Sequence, residues 1–429
     1  PSFTVSPAKQ FYHCFGCGAH GSAIGFVMAH RGLGFVDAVR ELAESAGMTV
    51  PAPAPADSRT DGPAEDLTAV MLRAARYYQA QLKASPRAIA YLTGRGTSGA
   101  IAARFGIGYA PDGWRNLDAV FEPREAPVLA RCGLLVETDS GRAYDRFRDR
   151  IMFPILDTRG NVIGFGGRVI DDGQPKYMNS PETPLFDKGR ELYGLPQARA
   201  GIREADTVIV VEGYMDVVAL AQHGVTHVVA TLGTATTPEH VRKLLRLARR
   251  VVFCFDGDAA GRKAAWRALE ACLEQLADER AVGFLFLPSE HDPDSYVREF
   301  GADDFRRRAA EAVPLREFLL RELRARGELD SAEGRSRLLA EAKPLITRIG
   351  APMLRAQLVR ALAAMGGLTP PELASLFGLR GDYGRRAAAP PAPRGRLSFA
   401  RRLLRIVLCK PEWSASIPLQ LLPEGDPEA

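Results

Sequence analysis

Carboxylate side chains follow three short apolar segments in the second half of the chain. The acidic residues come in three pairs, Glu212 with Asp216, Asp256 with Asp258, and Asp292 with Asp294. Carboxylates that are packed together repel one another, so a site built from them needs cations, and an all-oxygen ligand set favours Mg²⁺ or Mn²⁺ over Zn²⁺. Mg²⁺ at paired carboxylates serves phosphoryl transfer, because it stabilises the attacking and leaving oxygens of an in-line displacement.

Each acidic pair also has a simpler interpretation. Asp-Gly-Asp is frequent in loops, and an aspartate that follows a strand often caps the next helix. The occurrence of such pairs after three separate strands favours one shared metal site over three unrelated loops. Gly213 and Gly257 support a shared site, because glycine permits a sharp turn and a close backbone approach beside the acids.

The apolar segments alternate with helical segments from Asp206 onward. The strand-like segments read VIVV, HVVATLG, RVVFCF and AVGFLFL. Short, fully apolar strands separated by helices are typical of a parallel sheet covered on both faces. Ligands of such sheets bind outside the carboxyl ends of the strands, so the three acidic pairs are predicted to meet in one crevice.

Four motifs in this region resemble the Toprim domain in the form carried by bacterial DNA primases. They are VVEGYMDVVAL, TLGTATT, FCFDGDAAGRKAA and HDPDSYVR. The resemblance implies that Glu212, Asp256 and Asp258 are the central catalytic and metal-binding carboxylates, with Mg²⁺ or Mn²⁺ as the cofactor. Asp216, Asp292 and Asp294 would complete the acidic cluster. The number of metals, and whether Glu212 is a ligand or a general acid or base, stay open.

Toprim domains also occur in topoisomerases, recombination mediators and nucleases, so the preceding segment decides among them. That segment contains AYDRFRDRIMFPILDTRGNVIGFGGRVI and PKYMNSPETPLFDKGRELYGL, and from Tyr91 to Leu195 it resembles the basic subdomain specific to primases. The resemblance implies that a set of polar side chains contacts nucleic acid or nucleotide: Arg95, Arg146, Arg148, Arg168, Lys176, Asn179 and Lys188. Arginine grips phosphate bidentately and lysine acts as a point charge.

Taken without the resemblance, RFRDR is more typical of a solvated charged face than of a groove, because acids nearly balance bases in this stretch. Three aromatic side chains beside it could stack on bases: Tyr144, Phe147 and Tyr177. The apolar residues of the same stretch are predicted to be core: Ile151, Met152, Phe153 and Ile155.

Cys14 and Cys17 have the spacing of one half of a tetrahedral zinc site. A lone Cys-x-x-Cys is also compatible with a redox pair or with two unrelated thiols. Primases pair this half with a preceding Cys-x-x-His, which is missing here because the sequence opens at PSFTV. His13 and His20 lie nearby but match no ligand of the family. Zinc binding, and the choice of template start site that it supports in the family, are therefore in doubt.

The composition is that of an ordinary globular protein, with 46% hydrophobic and 25% charged residues among 429. The 56 basic and 51 acidic residues give a formal charge of +5, which fits a nucleic-acid partner without requiring one. Only two of the six cysteines are close in sequence, so a disulfide framework is not expected. No apolar run approaches the roughly 20 residues that span a bilayer, and we expect a cytoplasmic protein at the replication fork, without membrane contact.

The predicted fold is α/β (α+β overall), with a Toprim parallel-sheet domain between an N-terminal mixed α+β basic subdomain and a C-terminal helical subdomain. Two segments rich in proline and alanine predict linkers. The predicted divisions are a partial zinc-binding domain (1–50), a linker (51–66), the basic subdomain (67–200), the Toprim domain (201–303), the helical subdomain (304–384), a linker (385–396) and a truncated start of a helicase-binding domain (397–429).

The function implied by this resemblance is synthesis of short RNA primers on single-stranded DNA from ribonucleoside triphosphates. The replicative helicase is the family's protein partner, and weak or no binding is expected because most of that domain is absent. Two alternatives remain. A topoisomerase or nuclease would nick or relax DNA, but nothing in the sequence indicates a cleavage domain with a nucleophilic tyrosine. A non-catalytic module would bind DNA regardless of its carboxylates. Template preference and oligomeric state stay open.

Overall fold

The computed structural model describes residues 3–6, 11–14, 20–31, 35–45, 66–138, 142–171, 173–379 and 408–409. The chain divides into two units, Pro1–Leu358 and Val359–Ala429. Apart from Asp66, Leu408 and Cys409, the predicted linkers (51–66 and 385–396) and the predicted helicase-binding start (397–429) lie outside the described residues. The predicted domain boundaries therefore stay predictions.

An antiparallel ribbon and two helices form the described part of the N-terminal region. In chain order they are β1 (Phe3–Ser6), β2 (Phe11–Cys14), β3 (His20–Gly21), α1 (Ala23–Arg31) and α2 (Phe35–Ser45). The rings of Phe3, Tyr12 and Phe26 pack together with centroids 5.2 to 6.0 Å apart. This ring contact holds the ribbon against α1.

Three helices open the basic subdomain. They are α3 (Leu67–Ala84), α4 (Pro86–Gly94) and α5 (Gly99–Arg104). Each begins at a residue whose side chain accepts a hydrogen bond from a free backbone N–H of the first turn, namely Asp66, Ser85 and Ser98. Such caps stabilise helix starts, and Pro86 fits the first helical position because it lacks an N–H that would otherwise stay unpaired.

Antiparallel strands follow these helices. The elements are β4 (Gly108–Ala110), α6 (Ala126–Arg131), β5 (Leu135–Glu137), β6 (Ala143–Asp145), β7 (Arg150–Leu156), β8 (Val162–Val169) and β9 (Tyr177–Asn179). Strands β4, β7, β8 and β9 form one sheet in that order, and β5 pairs with β6. The four predicted core residues Ile151, Met152, Phe153 and Ile155 lie on β7 with no exposed surface, which confirms that prediction.

A five-stranded sheet, here called the Toprim sheet, follows the basic subdomain. Its elements are α7 (Leu195–Ala205), β10 (Thr207–Val211), α8 (Tyr214–Gln222), β11 (Val228–Ala230), α9 (Pro238–Leu247), β12 (Arg250–Phe255), α10 (Ala259–Cys272), β13 (Ala281–Phe286), α11 (Pro293–Ala310) and β14 (Val313–Pro314). The strand order is β11-β10-β12-β13-β14, parallel except for the edge strand β14. Strands β11 and β12 lie on opposite sides of β10, so the strand order reverses at β10. Ligands of open sheets bind at such a reversal.

Helices make up the described remainder of the chain. They are α12 (Leu315–Arg326), α13 (Ala332–Arg348), α14 (Pro352–Gly366) and α15 (Pro370–Phe377). Gly327 and Gly350 lie just after the ends of α12 and α13, and Gly366 is the last residue of α14. The predicted α/β class with flanking α+β and helical regions is confirmed. Within the described ranges no helix is long and apolar enough to cross a membrane.

Candidate active site

A crevice of about 430 Å³ lies between the Toprim sheet and strand β9 of the basic subdomain. One side, here called the acidic wall, consists of Glu212, Asp216, Asp256, Asp292 and Asp294. The other side, here called the basic wall, consists of Arg95, Arg168, Lys176, Tyr177 and Asn179. The structure thus brings together five of the six predicted metal-site carboxylates and four of the seven predicted nucleic-acid contacts.

The parallel strands place the acidic wall. Glu212 follows the last residue of β10, and Asp256 follows the last residue of β12, so both lie at carboxyl ends of neighbouring strands. The backbone beside Asp256 is tightly packed, because a Cβ added to Gly257 would lie 2.2 Å from the Leu287 carbonyl oxygen. Glycine is therefore required at this turn, as the sequence suggested.

Burial and neighbouring negative charges raise the pKa values of three carboxylates of the acidic wall, Glu212, Asp216 and Asp256. Burial, and then the charges of Asp256 and Asp258, raise the pKa of Glu212. Burial also raises the pKa of Asp256, with further contributions from Asp292 and Asp258. The pKa of Asp216 lies well above its usual range, chiefly because of burial. Each shift arises first from desolvation, and the neighbouring negative charges add to it.

This donor set fits a hard divalent cation, because its ligands are all oxygens and their charges repel without a counterion. In the part of the chain that the structure describes, no group of three or more His, Cys, Asp or Glu side chains is already arranged to hold an ion. The residues that could hold the cation are Glu212, Asp256 and Asp258.

Asp258 does not line the crevice. It begins α10 as an exposed residue, and its Oδ1 accepts a hydrogen bond of 2.7 Å from the backbone N–H of Gly261. The helix-cap interpretation is thus correct for this residue. A role at the metal site is still compatible with its place, because its charge raises the pKa values of both Glu212 and Asp256 and its second carboxylate oxygen is not used by the cap.

Asp294 is the most deeply buried carboxylate of the acidic wall, with 1% of its surface exposed. Arg298 Nε lies 3.0 Å from its Oδ1, and Arg95 Nη1 lies 3.4 Å from its Oδ2. Burial raises the pKa of Asp294, and the two arginines oppose that shift. Arg95, which directly follows α4, is therefore held at the crevice by an ion pair across the two subdomains.

Besides Arg95, the basic wall presents one buried and one exposed cation, Arg168 and Lys176. Arg168 is 5% exposed, and its Nη1 donates a hydrogen bond of 2.9 Å to the Tyr177 hydroxyl. Its guanidinium also lies 5.2 Å from the centre of the Tyr177 ring. Lys176 is exposed at the rim of the crevice. The Arg168 side chain is thus preorganised, whereas Lys176 is free to follow a ligand.

Three other predicted contacts lie outside the crevice wall. Arg146 Nε donates to the Gly133 carbonyl at 3.0 Å. The guanidinium of Arg148 lies 4.3 Å from the centre of the Trp114 ring. Lys188 lies in a loop. Its backbone carbonyl oxygen is 3.1 Å from Nε2 of the buried His240. These side chains stay candidates for nucleic acid that extends beyond the crevice.

The exposure of Phe147 and of Trp114 changes the set of aromatic side chains that could stack on bases. The prediction that Phe147 stacks on bases is wrong, because Phe147 is 1% exposed and packs against Phe165 in the core. Trp114, which the sequence interpretation missed, is 65% exposed beside Arg148. It lies in a segment rich in turn-forming residues, APDGWRN, which was the available signal in the sequence.

The zinc prediction is only partly within reach of the structure. Cys14 ends β2 and is half-buried. Cys17 lies outside the described residues.

Four family models match the chain. They are described as the DNA primase catalytic core, N-terminal domain (residues 77–199), the Toprim domain (206–281), the CHC2 zinc finger (1–58) and the DnaB-helicase binding domain of primase (317–370). A DNA primase of Neisseria meningitidis is 49% identical over 98% of this chain and 73% of its own length. The chain belongs to the bacterial DNA primase family.

Solved structures of relatives agree with this membership. A DNA primase domain from Pseudomonas aeruginosa is 48% identical with a TM-score of 0.70, and the match covers 73% of this chain and 99% of that one. The zinc-binding and RNA polymerase domains of the Aquifex aeolicus primase are 32% identical with a TM-score of 0.63, over 87% of this chain and 89% of that one. A third relative, a DnaG primase catalytic domain bound to single-stranded DNA, is 46% identical with a TM-score of 0.67, over 70% and 96% of the two chains.

The helicase-binding model matches a different segment from the one predicted. Residues 317–370 cover helices α12 to α14 and lie inside the predicted helical subdomain. The sequence interpretation instead placed the start of a helicase-binding domain at 397–429, which stays a prediction. A DnaB-binding match is therefore present, and the replicative helicase is a partner of this family.

Proposed function

We propose that the chain makes short RNA primers on single-stranded DNA by nucleotidyl transfer in the crevice between the acidic and basic walls. The observation that carries the proposal is the arrangement of the two walls. Carboxylates at the ends of β10 and β12 face arginine and lysine side chains of the basic subdomain across about 430 Å³. That arrangement suits a polyphosphate and its cations, because one wall favours positive charge and the other favours phosphate.

The reaction joins a primer end to the next nucleotide. The 3′-hydroxyl of the primer gives its proton to solvent as its oxygen attacks the α-phosphate of a ribonucleoside triphosphate, the bond to the β-phosphate oxygen breaks, and pyrophosphate leaves. Glu212, Asp256 and Asp258 would hold Mg²⁺ or Mn²⁺, which would neutralise the developing charge. Lys176 and Arg168 bind phosphate oxygens from the opposite side, and the ion pair with Asp294 holds Arg95 in line with them.

The remaining cations extend the nucleic-acid path. Arg146, Arg148 and Lys188 bind the backbone of template or primer outside the crevice, and such contacts position a strand without reading its sequence. The match to the catalytic domain bound to single-stranded DNA supports this path. The helicase contact is proposed for residues 317–370, and the working site of the protein is the bacterial replication fork in the cytoplasm.

Zinc enters the proposal through the N-terminal region. The CHC2 zinc-finger match covers residues 1–58, and Cys14 and Cys17 are the two thiols in that range. We assign them two of the four positions of a structural zinc site, because thiolates at this spacing bind Zn²⁺ tetrahedrally. Zinc analysis of a Cys14→Ser and Cys17→Ser double variant checks this assignment.

The test is incorporation of labelled ribonucleotides on single-stranded DNA with Mg²⁺ or Mn²⁺. Asp256→Asn removes one charge from the acidic wall while keeping the side-chain shape, and we expect it to lose at least 100-fold of the template-dependent RNA product. Glu311→Gln, an exposed acid at the end of α11, is the matched control and should retain activity.

Two other outcomes would support the alternative functions. DNA nicking or relaxation by the wild-type chain would indicate a topoisomerase or nuclease. Binding of single-stranded DNA by wild type and Asp256→Asn alike, with no RNA product from either, would indicate a non-catalytic binding module.

A further inference from the structure

Tyr214 connects the metal-site loop to the opposite wall of the crevice. It is the first residue of α8, two positions after Glu212, and it is 4% exposed. Its hydroxyl donates a hydrogen bond of 2.5 Å to Oδ1 of Asn179, which lies on β9 in the other sheet. The two residues therefore join the Toprim sheet to the basic subdomain.

The amide nitrogen of Asn179 also makes a hydrogen bond within the protein. Asn179 Nδ2 donates a hydrogen bond of 2.7 Å to the Leu232 carbonyl, just after β11. A backbone carbonyl only accepts hydrogen bonds, so Nδ2 must face Leu232 and Oδ1 must face Tyr214. Asn179 was predicted to contact nucleic acid or nucleotide, but in this arrangement its oxygen and its nitrogen both serve protein partners, Tyr214 at the start of α8 and the Leu232 backbone after β11.

The Tyr214 ring is held in place by its neighbours. The Phe153 ring stacks on it at 5.4 Å between centroids with 9° between planes, and Tyr193 packs edge-on at 4.8 Å. A Cβ added to Gly166 of β8 would lie 2.5 Å from the Tyr214 ring, so this side of the ring is filled as well. The hydroxyl therefore has one accessible position, which is the one that meets Asn179.

We propose that Tyr214 is a positioning residue for primer synthesis, acting through Asn179. The two hydrogen bonds of Asn179 fix the end of β9 beside the loop that carries Glu212. Strand β9 follows directly on Lys176, so the same connection sets the spacing between a phosphate-binding cation and the metal-site carboxylates. This inference rests on the proposed function of the crevice and adds Tyr214 to the residues on which its geometry depends.

The expected effect follows from the chemistry of one hydrogen bond. Tyr214→Phe removes the donor and keeps the ring, so the aromatic packing is retained. Loss of a single neutral hydrogen bond corresponds to a change of about 2- to 10-fold. We expect this loss in kcat for ribonucleotide incorporation, with KM for the triphosphate changed by less than about twofold, because no group that touches the nucleotide is removed.

A double-mutant cycle tests the connection. Tyr214→Phe, Asn179→Ala and the double variant are compared with wild type in the incorporation assay. If Tyr214 acts through Asn179, the double variant is no worse than Asn179→Ala, since the hydroxyl has no function once its acceptor is gone. Tyr78→Phe is the control, because it removes a buried tyrosine hydroxyl for which the structure shows no hydrogen-bond partner. It should keep wild-type activity.

Three results would overturn the proposal. Wild-type kcat in Tyr214→Phe would show that the hydrogen bond does not matter. Losses that multiply in the double variant would show that the two residues act independently. A raised KM with unchanged kcat in Asn179→Ala would show that Asn179 contacts the nucleotide. Absence of RNA product from wild type itself would instead count against the proposed function of the crevice.

Discussion

Asp145 is a buried carboxyl whose titration should be visible in the stability of the basic subdomain. It ends β6 with 2% of its surface exposed, and its Oδ2 accepts a hydrogen bond of 3.0 Å from the Leu117 backbone N–H. Burial raises the pKa of this carboxyl from 3.8 to about 6, against the opposing effect of backbone hydrogen bonds. The folded protein thus holds the Asp145 proton more tightly than the unfolded chain.

The sign and the size of the effect follow from that difference. Below about pH 4 the carboxyl is protonated in both states and makes no pH-dependent contribution. Between about pH 4 and pH 6 the unfolded chain releases this proton while the folded state keeps it, so the free energy of unfolding falls. Above about pH 6 the carboxyl is ionised in both states and the loss is complete. A shift of about two pKa units corresponds to roughly 3 kcal/mol at most, since each unit is worth about 1.4 kcal/mol.

Urea unfolding of Asp145→Asn and wild type between pH 4 and pH 8 measures this contribution. The asparagine keeps an acceptor for Leu117 but does not ionise. The free energy of unfolding of the variant, relative to that of wild type, should therefore rise by up to about 3 kcal/mol between pH 4 and pH 7.5. The chain has three tryptophans. Replacing Trp266 and Trp413 by phenylalanine leaves Trp114 as the local fluorescence probe. The backbone carbonyl of Trp114 accepts the Asp145 N–H at 2.8 Å.

The control for this experiment is Glu137→Gln, which removes an exposed carboxylate from β5 of the same hairpin. The difference in free energy of unfolding between this variant and wild type should change little over the same pH range. If the difference between Asp145→Asn and wild type is equally flat, the buried carboxyl is not destabilising at neutral pH and the reasoning from burial is refuted.

Two further substitutions test the two walls of the crevice separately. Lys176→Ala removes one exposed cation, so binding of single-stranded DNA should weaken. The slope of the logarithm of the binding constant against the logarithm of the salt concentration, measured by fluorescence anisotropy, should fall in magnitude by about 0.7. An unchanged slope would mean that Lys176 touches no phosphate. Gly257→Ala places a Cβ 2.2 Å from the Leu287 carbonyl oxygen and must displace the loop that carries Asp256. We expect it to lose incorporation while retaining DNA binding, and full activity would show that the loop tolerates displacement.

The Toprim sheet and the position of its acids could be predicted from the sequence. Four apolar segments alternate with helices, and carboxylates follow the strands that became β10 and β12. Such strands have no polar face, so they must be covered on both sides, and their carboxyl ends then share an edge. The antiparallel edge strand β14 was not predictable, because two residues, Val313 and Pro314, carry no pattern.

The roles of individual side chains were harder to predict. Asp258 and Asp294 read alike in the sequence, yet one is an exposed helix cap and the other is buried between two arginines. The second case depends on Arg95, which is 199 positions away in the chain. Asn179 likewise reads as a free polar group, and its two partners, Tyr214 on α8 and the Leu232 carbonyl after β11, lie far away in the chain. Long-range contacts of this kind leave no local signal.

Direct measurement of Mn²⁺ binding tests the cation site most directly. The paramagnetic resonance signal of free Mn²⁺ is followed during titration of wild type and of Asp256→Asn, alongside ribonucleotide incorporation by the same preparations. If the acidic wall holds the catalytic cations, Asp256→Asn binds less Mn²⁺ than wild type and loses incorporation in parallel. Equal Mn²⁺ binding by the two proteins, with incorporation lost in Asp256→Asn, would contradict the assignment and place the cations elsewhere.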